Sequence, residues 1–121
     1  MFRLILAVGA GSFFGGVVRY LFSRWLNAGF PWGTFAVNVI GCFLIGLLNG
    51  VIERSGVVSS ELCLFLTVGF CGGFTTFSTF MGENFFMLRA GEFLPLAFNL
   101  VGSVLFGFLS VWAGYWIGAR I

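Results

Sequence analysis

The sequence predicts an all-α membrane protein with four transmembrane helices, the third broken at mid-membrane, paired as an antiparallel homodimer. Three observations carry this reading. Of 121 residues, 60% are hydrophobic and 8% charged, with a mean hydropathy of +1.08, which is the composition of an integral membrane protein. A spanning helix needs about 20 residues, so the chain holds four spans and short links and leaves no room for a soluble domain. The third apolar segment carries GGFTTFSTF at residues 72–80, a run too rich in glycine and hydroxyls for an ordinary lipid-facing helix.

Span 1 is expected over residues 2–26. Arg3 before an apolar stretch imitates a signal peptide, but the stretch continues to Leu26, carries Arg19 and shows no small-residue cleavage pattern. Asn27-Ala28-Gly29-Phe30-Pro31 closes it, and Pro31 suits the start of span 2, residues 32–52. The polar stretch from Glu53 to Glu61 leads to span 3, residues 62–89, interrupted at residues 72–76. Ala90-Gly91-Glu92 is a tight link to span 4, residues 94–118, where Pro95 falls in the first turn and its missing N–H costs little. No repeat or low-complexity tract divides the chain, so residues 1–121 form one domain.

Counting cations by side gives the orientation. With four spans, Arg3, Arg54 and Arg120 share one side. Arg24 and Arg89 lie on the other, with Arg19 near that end of span 1. The bias is almost nil, and a chain without bias has little reason to choose one orientation, so dual topology is expected. Four thin helices are also too few to enclose a wide aqueous route. Their polar stripes need further protein to face, and a two-fold dimer is the commonest closed arrangement.

Enzyme chemistry finds no foothold. The chain has no His and no Asp, which removes a zinc site and a Ser-His-Asp triad. Cys42, Cys63 and Cys71 lack metal-ligand spacing and read as small core residues. No nucleic-acid partner is expected.

Thin polar stripes appear at helical spacing. Span 1 aligns Ser12, Gly16, Arg19 and Ser23; span 2 aligns Thr34, Asn38, Gly41 and Asn49; span 4 aligns Asn99, Ser103 and Ser110 around Phe106. Small and hydroxyl residues commonly glue membrane helices together, and Gly46/Gly50, Gly69/Gly73 and Gly114/Gly118 have the spacing for close packing. Asn38 and Arg19 differ, because an amide or guanidinium within a span needs a partner or water and so points to a site.

A broken helix survives in hydrocarbon only where protein or an ion pathway covers it, and such breaks tend to hold ions or substrates. Unwinding at Gly72-Gly73 frees carbonyls suited to a small hard cation such as sodium. Thr75, Thr76, Ser78 and Thr79 offer hydroxyls, and the positive ring edges of Phe77 and Phe80 can face an anion. From the residues alone, the sign of the ion stays open.

Three motifs carry a resemblance: Gly15-Gly16-x-x-Arg19-Tyr20, then Gly33-Thr34-x-x-Val37-Asn38-x-x-Gly41, then Gly69-x-x-Gly72-Gly73-x-Thr75-Thr76-Phe77-Ser78-Thr79-Phe80. In this order, over essentially the full length, the chain resembles the Fluc (CrcB) family of small fluoride channels, with span 4 matching least. The resemblance implies a dual-topology antiparallel homodimer in the cell (inner) membrane, crossed by two fluoride pores. It implies a structural sodium ion at the centre, held by the backbone carbonyls of Gly72 and Thr75 of both subunits. It puts a phenylalanine box at Phe77 and Phe80, a pore asparagine at Asn38, a vestibule arginine at Arg19 and pore hydroxyls at Ser78 and Thr79. On span 4, Ser103 and Ser110 are the path residues on offer, and Asn99 stands where relatives carry a tyrosine.

Two other classes compete. A small proton-coupled multidrug exporter has the same size and needs a buried carboxylate; span 1 has no acid, and Glu83 is the one intramembrane candidate. A non-conducting assembly subunit would use the stripes for packing alone.

Overall fold

The computed structural model describes residues 1–56 and 58–121. Among them, four helical segments are long and apolar enough to cross a membrane. These are α1 (Phe2–Leu26), α2 (Trp32–Ser55), the third segment (Ser60–Arg89) and α6 (Phe93–Gly118). Val57, inside the link expected between Glu53 and Glu61, lies outside the described residues.

The turns follow from local chemistry. Asn27–Ala28 and Phe30–Pro31 pair antiparallel around Gly29, whose φ of 74° is open to a residue without Cβ. Asn27 Oδ1 accepts the Gly33 N–H at 2.6 Å and so satisfies a donor in the first turn of α2. Gly56, at φ 66°, closes α2 with its N–H on the Ile52 carbonyl.

Packing is by backbone approach. α2 lies along α6, and α1 along the first half of the third segment. Gly46 and Gly50 sit against the backbone of Val111 and Tyr115, while Gly114 and Gly118 sit against Phe43 and Leu47. Gly11 and Gly15 meet Phe65 and Phe70, and Gly69 and Gly73 meet Val8 and Ser12. The small-residue spacings therefore serve close helix contact. Among the described residues the hydrophobic core is small, consisting of Val37, Cys71, Phe74, Phe80 and Met87. Most other large apolar side chains face outward, as lipid permits.

The third segment is more irregular than the sequence suggested. It begins as α3 (Ser60–Leu64), widens to a π-helix over Phe65–Cys71, returns to α4 (Gly72–Phe74), breaks over residues 75–77 and resumes as α5 (Ser78–Arg89). The interruption thus starts at Thr75, whose φ and ψ of −89° and 160° are extended. Gly72 and Gly73, expected to unwind, are helical. Gly73 serves close packing instead: a Cβ there would press on the Ser12 backbone. The chain opens over residues 75–77, where a side chain from α2 takes over the backbone hydrogen bonds of Thr76.

Candidate functional site

That side chain is Asn38. Its Oδ1 accepts the Thr76 N–H at 2.8 Å and its Nδ2 donates to the Thr76 carbonyl at 3.1 Å. An amide presents a donor and an acceptor in the same disposition as a peptide group, so Asn38 replaces one rung of the helix ladder from outside. Arg19 of α1 works just upstream of the opening, donating from Nε to the Gly73 carbonyl at 3.1 Å. The Thr76 hydroxyl accepts the Thr79 N–H at 3.2 Å, satisfying an orphan donor at the start of α5.

The carbonyls of the two residues expected to hold a cation are free. Among the described residues, neither Gly72 nor Thr75 has its carbonyl hydrogen-bonded within the chain, since the Thr76 N–H is held by Asn38 and the Thr79 N–H by Thr76. The Thr75 hydroxyl is occupied by the Cys71 carbonyl at 2.8 Å. What Thr75 has to offer a ligand is therefore its backbone oxygen.

The break lines an open-sided cavity of about 550 Å³. Gly72, Thr75, Thr76, Phe77 and Phe80 come from the third segment, Asn38 and Gly41 from α2, and Ser103 from α6. None of the described lining residues is charged. The rings of Phe77 and Phe80 lie 6.2 Å apart between centroids and are tilted by 47°. Phe80 is 7% exposed, whereas Phe77 is 74% exposed on the open side.

The structure thus brings together seven of the residues singled out from sequence: Asn38, Gly72, Thr75, Thr76, Phe77, Phe80 and Ser103. Ser78 and Thr79 are exposed beside the break and Ser110 lies further along α6; none of the three lines the cavity. Arg19 is half-buried against the break.

Two polar groupings were not anticipated. Glu83 Oε2 accepts from the Thr34 hydroxyl at 2.9 Å and from Asn27 Nδ2 at 3.2 Å, tying α5 to the start of α2. Asn99, 1% exposed, donates to Asn84 Oδ1 at 2.8 Å, and Ser103 donates to Asn99 Oδ1 at 3.4 Å. The rule that flagged Asn38, that an amide within a span needs a partner, applies equally to Asn84.

The family model for CrcB-like protein, Camphor Resistance (CrcB), matches residues 6–115. The chain belongs to the CrcB-like family. Curated relatives of this family agree along nearly the whole length. "Fluoride-specific ion channel FluC" of Geobacter sulfurreducens is 48% identical over 114 residues, covering 91% of this chain and 92% of the relative. The protein of the same name from Chlorobium phaeobacteroides (strain BS1) is 45% identical over 116 residues, covering 93% and 91%. A third, from Phocaeicola vulgatus, is 42% identical over 118 residues, covering 94% and 95%. The stretch matched to the CrcB-like family contains the break, all the cavity-lining residues and both unanticipated groupings.

Proposed function

We propose that this chain is a fluoride-specific ion channel that lets fluoride leave the cell passively, down its electrochemical gradient. The single observation that carries the reading is the cavity at the break, where amide, hydroxyl and ring-edge groups meet with no fixed charge. A small, strongly hydrated anion needs donors in place of water, and a full cation on the path would trap it. Binding has to be good enough to enter and weak enough to leave. Names shared by relatives at 42–48% identity over nearly the full length supply the identity of the ion.

The working unit in this reading is an antiparallel homodimer with two pores, inserted in both orientations. Unpaired backbone carbonyls on an open-sided cavity are a poor surface to present to lipid. A second copy facing this side covers them and brings Ser78 and Thr79 into the protein interior.

A sodium ion fits the residues present. The free carbonyls of Gly72 and Thr75 are hard oxygen ligands, and the same pair from a second copy would complete four. Sodium would supply a fixed positive field beside the path and hold the two subunits together. Glu83, the carboxylate that a proton-coupled exporter would need, is engaged through Oε2 by Thr34 and Asn27, while its Oε1 is buried without a partner among the described residues.

The cellular test is growth in fluoride at mildly acidic pH by a strain deprived of its own fluoride export. Expression of this chain is expected to restore growth. Unrestored growth, with the protein present in the membrane, contradicts the reading.

A further inference from the structure

Two of the three cysteines meet on one cavity. Cys42 of α2 and Cys71, the last residue of the π-helical stretch, both line it, and both are free thiols. The pairing of α2 with the third segment brings them to one level. Asn38 holds Thr76, and a Cβ at Gly41 would press on the Thr75 methyl group. Cys42 follows Asn38 by one helical turn. Cys71 precedes Thr75 by one turn, its carbonyl accepting both the Thr75 N–H and the Thr75 hydroxyl. The two thiols are close enough for a charge on Cys42 to act on Cys71. Gly107 of α6 stands beside the Cys42 sulfur and, having no Cβ, leaves room around it. A role as small core residues accounts for the burial of Cys71, but it does not call for a second thiol on the same cavity.

Thiolate sulfur is a soft ligand and selects soft metal ions. Among the described residues no third His, Cys, Asp or Glu joins the pair, so the four-ligand set of a closed zinc site is missing. Two sulfurs suit a soft ion that takes two ligands in line, such as mercury(II). Proton and charge balance favour the same kind of ion. The metal forms two bonds to sulfur, each thiol releases its proton to water, and nothing is oxidised or reduced. A doubly charged ion held by two thiolates carries no net charge, which matters inside a span, where a buried unpaired charge is costly.

We propose that Cys42 and Cys71 together form a binding site for a soft, two-coordinate metal ion, and that the bound ion closes the fluoride path. The ion bridges α2 to the third segment one turn from the Asn38–Thr76 contact. It sits next in sequence to Gly72, takes up space in the cavity and ties together the two elements that shape the break. The closing effect rests on the fluoride-channel reading; the metal site stands on the two thiols alone.

The test uses the full-length protein carrying Cys63→Ser, because Cys63 is the one other thiol in the chain and does not line the cavity. Mercuric ion is the probe. Native mass spectrometry is expected to show one mercury per chain with two protons lost, retained against an excess of a competing monothiol. Cys42→Ser or Cys71→Ser in this background leaves one sulfur, and binding should weaken by at least about a hundredfold, the gain that a second linked ligand confers. In liposomes the metal should slow fluoride efflux at least about tenfold, and a dithiol chelator should restore it. Neither single-thiol variant should be slowed while the monothiol is present. Equal retention by a single-thiol variant, or two mercury ions bound separately to the two thiols, overturns the site. Full flux with one metal held by both sulfurs overturns its effect on the path. Protein that binds the metal through both sulfurs but passes no fluoride without it overturns the channel reading and supports the site. Where Cys71→Ser does not fold, Cys71→Ala removes the same sulfur and carries the same expectation.

Discussion

Asn38 grips Thr76 at both ends of its backbone, accepting its N–H at 2.8 Å and donating to its carbonyl at 3.1 Å. The helix opens there because a side chain from another helix meets the hydrogen-bonding demand of the freed backbone groups. Asn38 is thus a structural member of the break, with one Nδ2 hydrogen left for the cavity. Asn38→Ala strands two backbone groups at a cost of about 1–3 kcal/mol each. Fluoride efflux is expected to fall sharply and the melting temperature to drop. Asn38→Asp keeps the acceptor but sets a carboxylate against the Thr76 carbonyl, so it should not rescue either quantity.

Arg19 supports the other shoulder of the break through Nε and the Gly73 carbonyl. Arg19→Lys keeps the charge but loses the fixed planar donor. It is expected to lower stability by about 1–3 kcal/mol, the scale of a hydrogen bond from a charged group, in thermal denaturation in detergent. Equal melting of the Arg19→Lys variant and the wild-type protein would remove the contact from the account of the break.

How much of this was legible in the sequence depended on the kind of signal. Span positions came from apolar length and from the turn and polar residues between the spans, and the structure adds at most three residues to any one end. The cavity residues were legible because Asn38 and the hydroxyl-rich run violate the hydrophobic pattern. The exact opening was not, since Gly72 and Gly73 look like the breakers until Gly73 is seen against Ser12. The π-helical stretch over Phe65–Cys71 has no signature in residue type. The Asn84–Asn99 pair lies 15 positions apart on separate helices, and only the packing of α5 on α6 reveals the partnership.

Phe80 is buried beside exposed Phe77, with both rings on the cavity. Phe80→Ile preserves apolar bulk while removing the ring edge. Fluoride flux is expected to fall at least about tenfold, which corresponds to roughly 1.4 kcal/mol on the barrier, with the dimer intact on size-exclusion chromatography. Undiminished flux removes Phe80 from the path.

Replacing sodium by a large organic cation should weaken the dimer, as seen by subunit exchange between differently labelled copies. Thr75→Ala should leave sodium dependence in place, because the Thr75 hydroxyl is spent on the Cys71 carbonyl and only the backbone oxygen is offered. Exchange rates indifferent to sodium would contradict a structural ion.

Close packing sets its own expectation. A Cβ at Gly114 would press on the Phe43 carbonyl, a backbone atom that cannot step aside. Gly114→Ala should therefore destabilise the α2–α6 pair by about 1–3 kcal/mol, the usual cost of overpacking. A detergent melting curve superimposable on wild type would show that the two helices can separate freely.

The most direct measurement is an ion-selective electrode outside fluoride-loaded liposomes that contain the purified protein. The expected trace is rapid fluoride efflux once an ionophore dissipates the opposing potential, with no matching efflux of chloride. Liposomes that hold folded dimer and keep their fluoride would contradict the central claim that the break in the third segment lines a fluoride path.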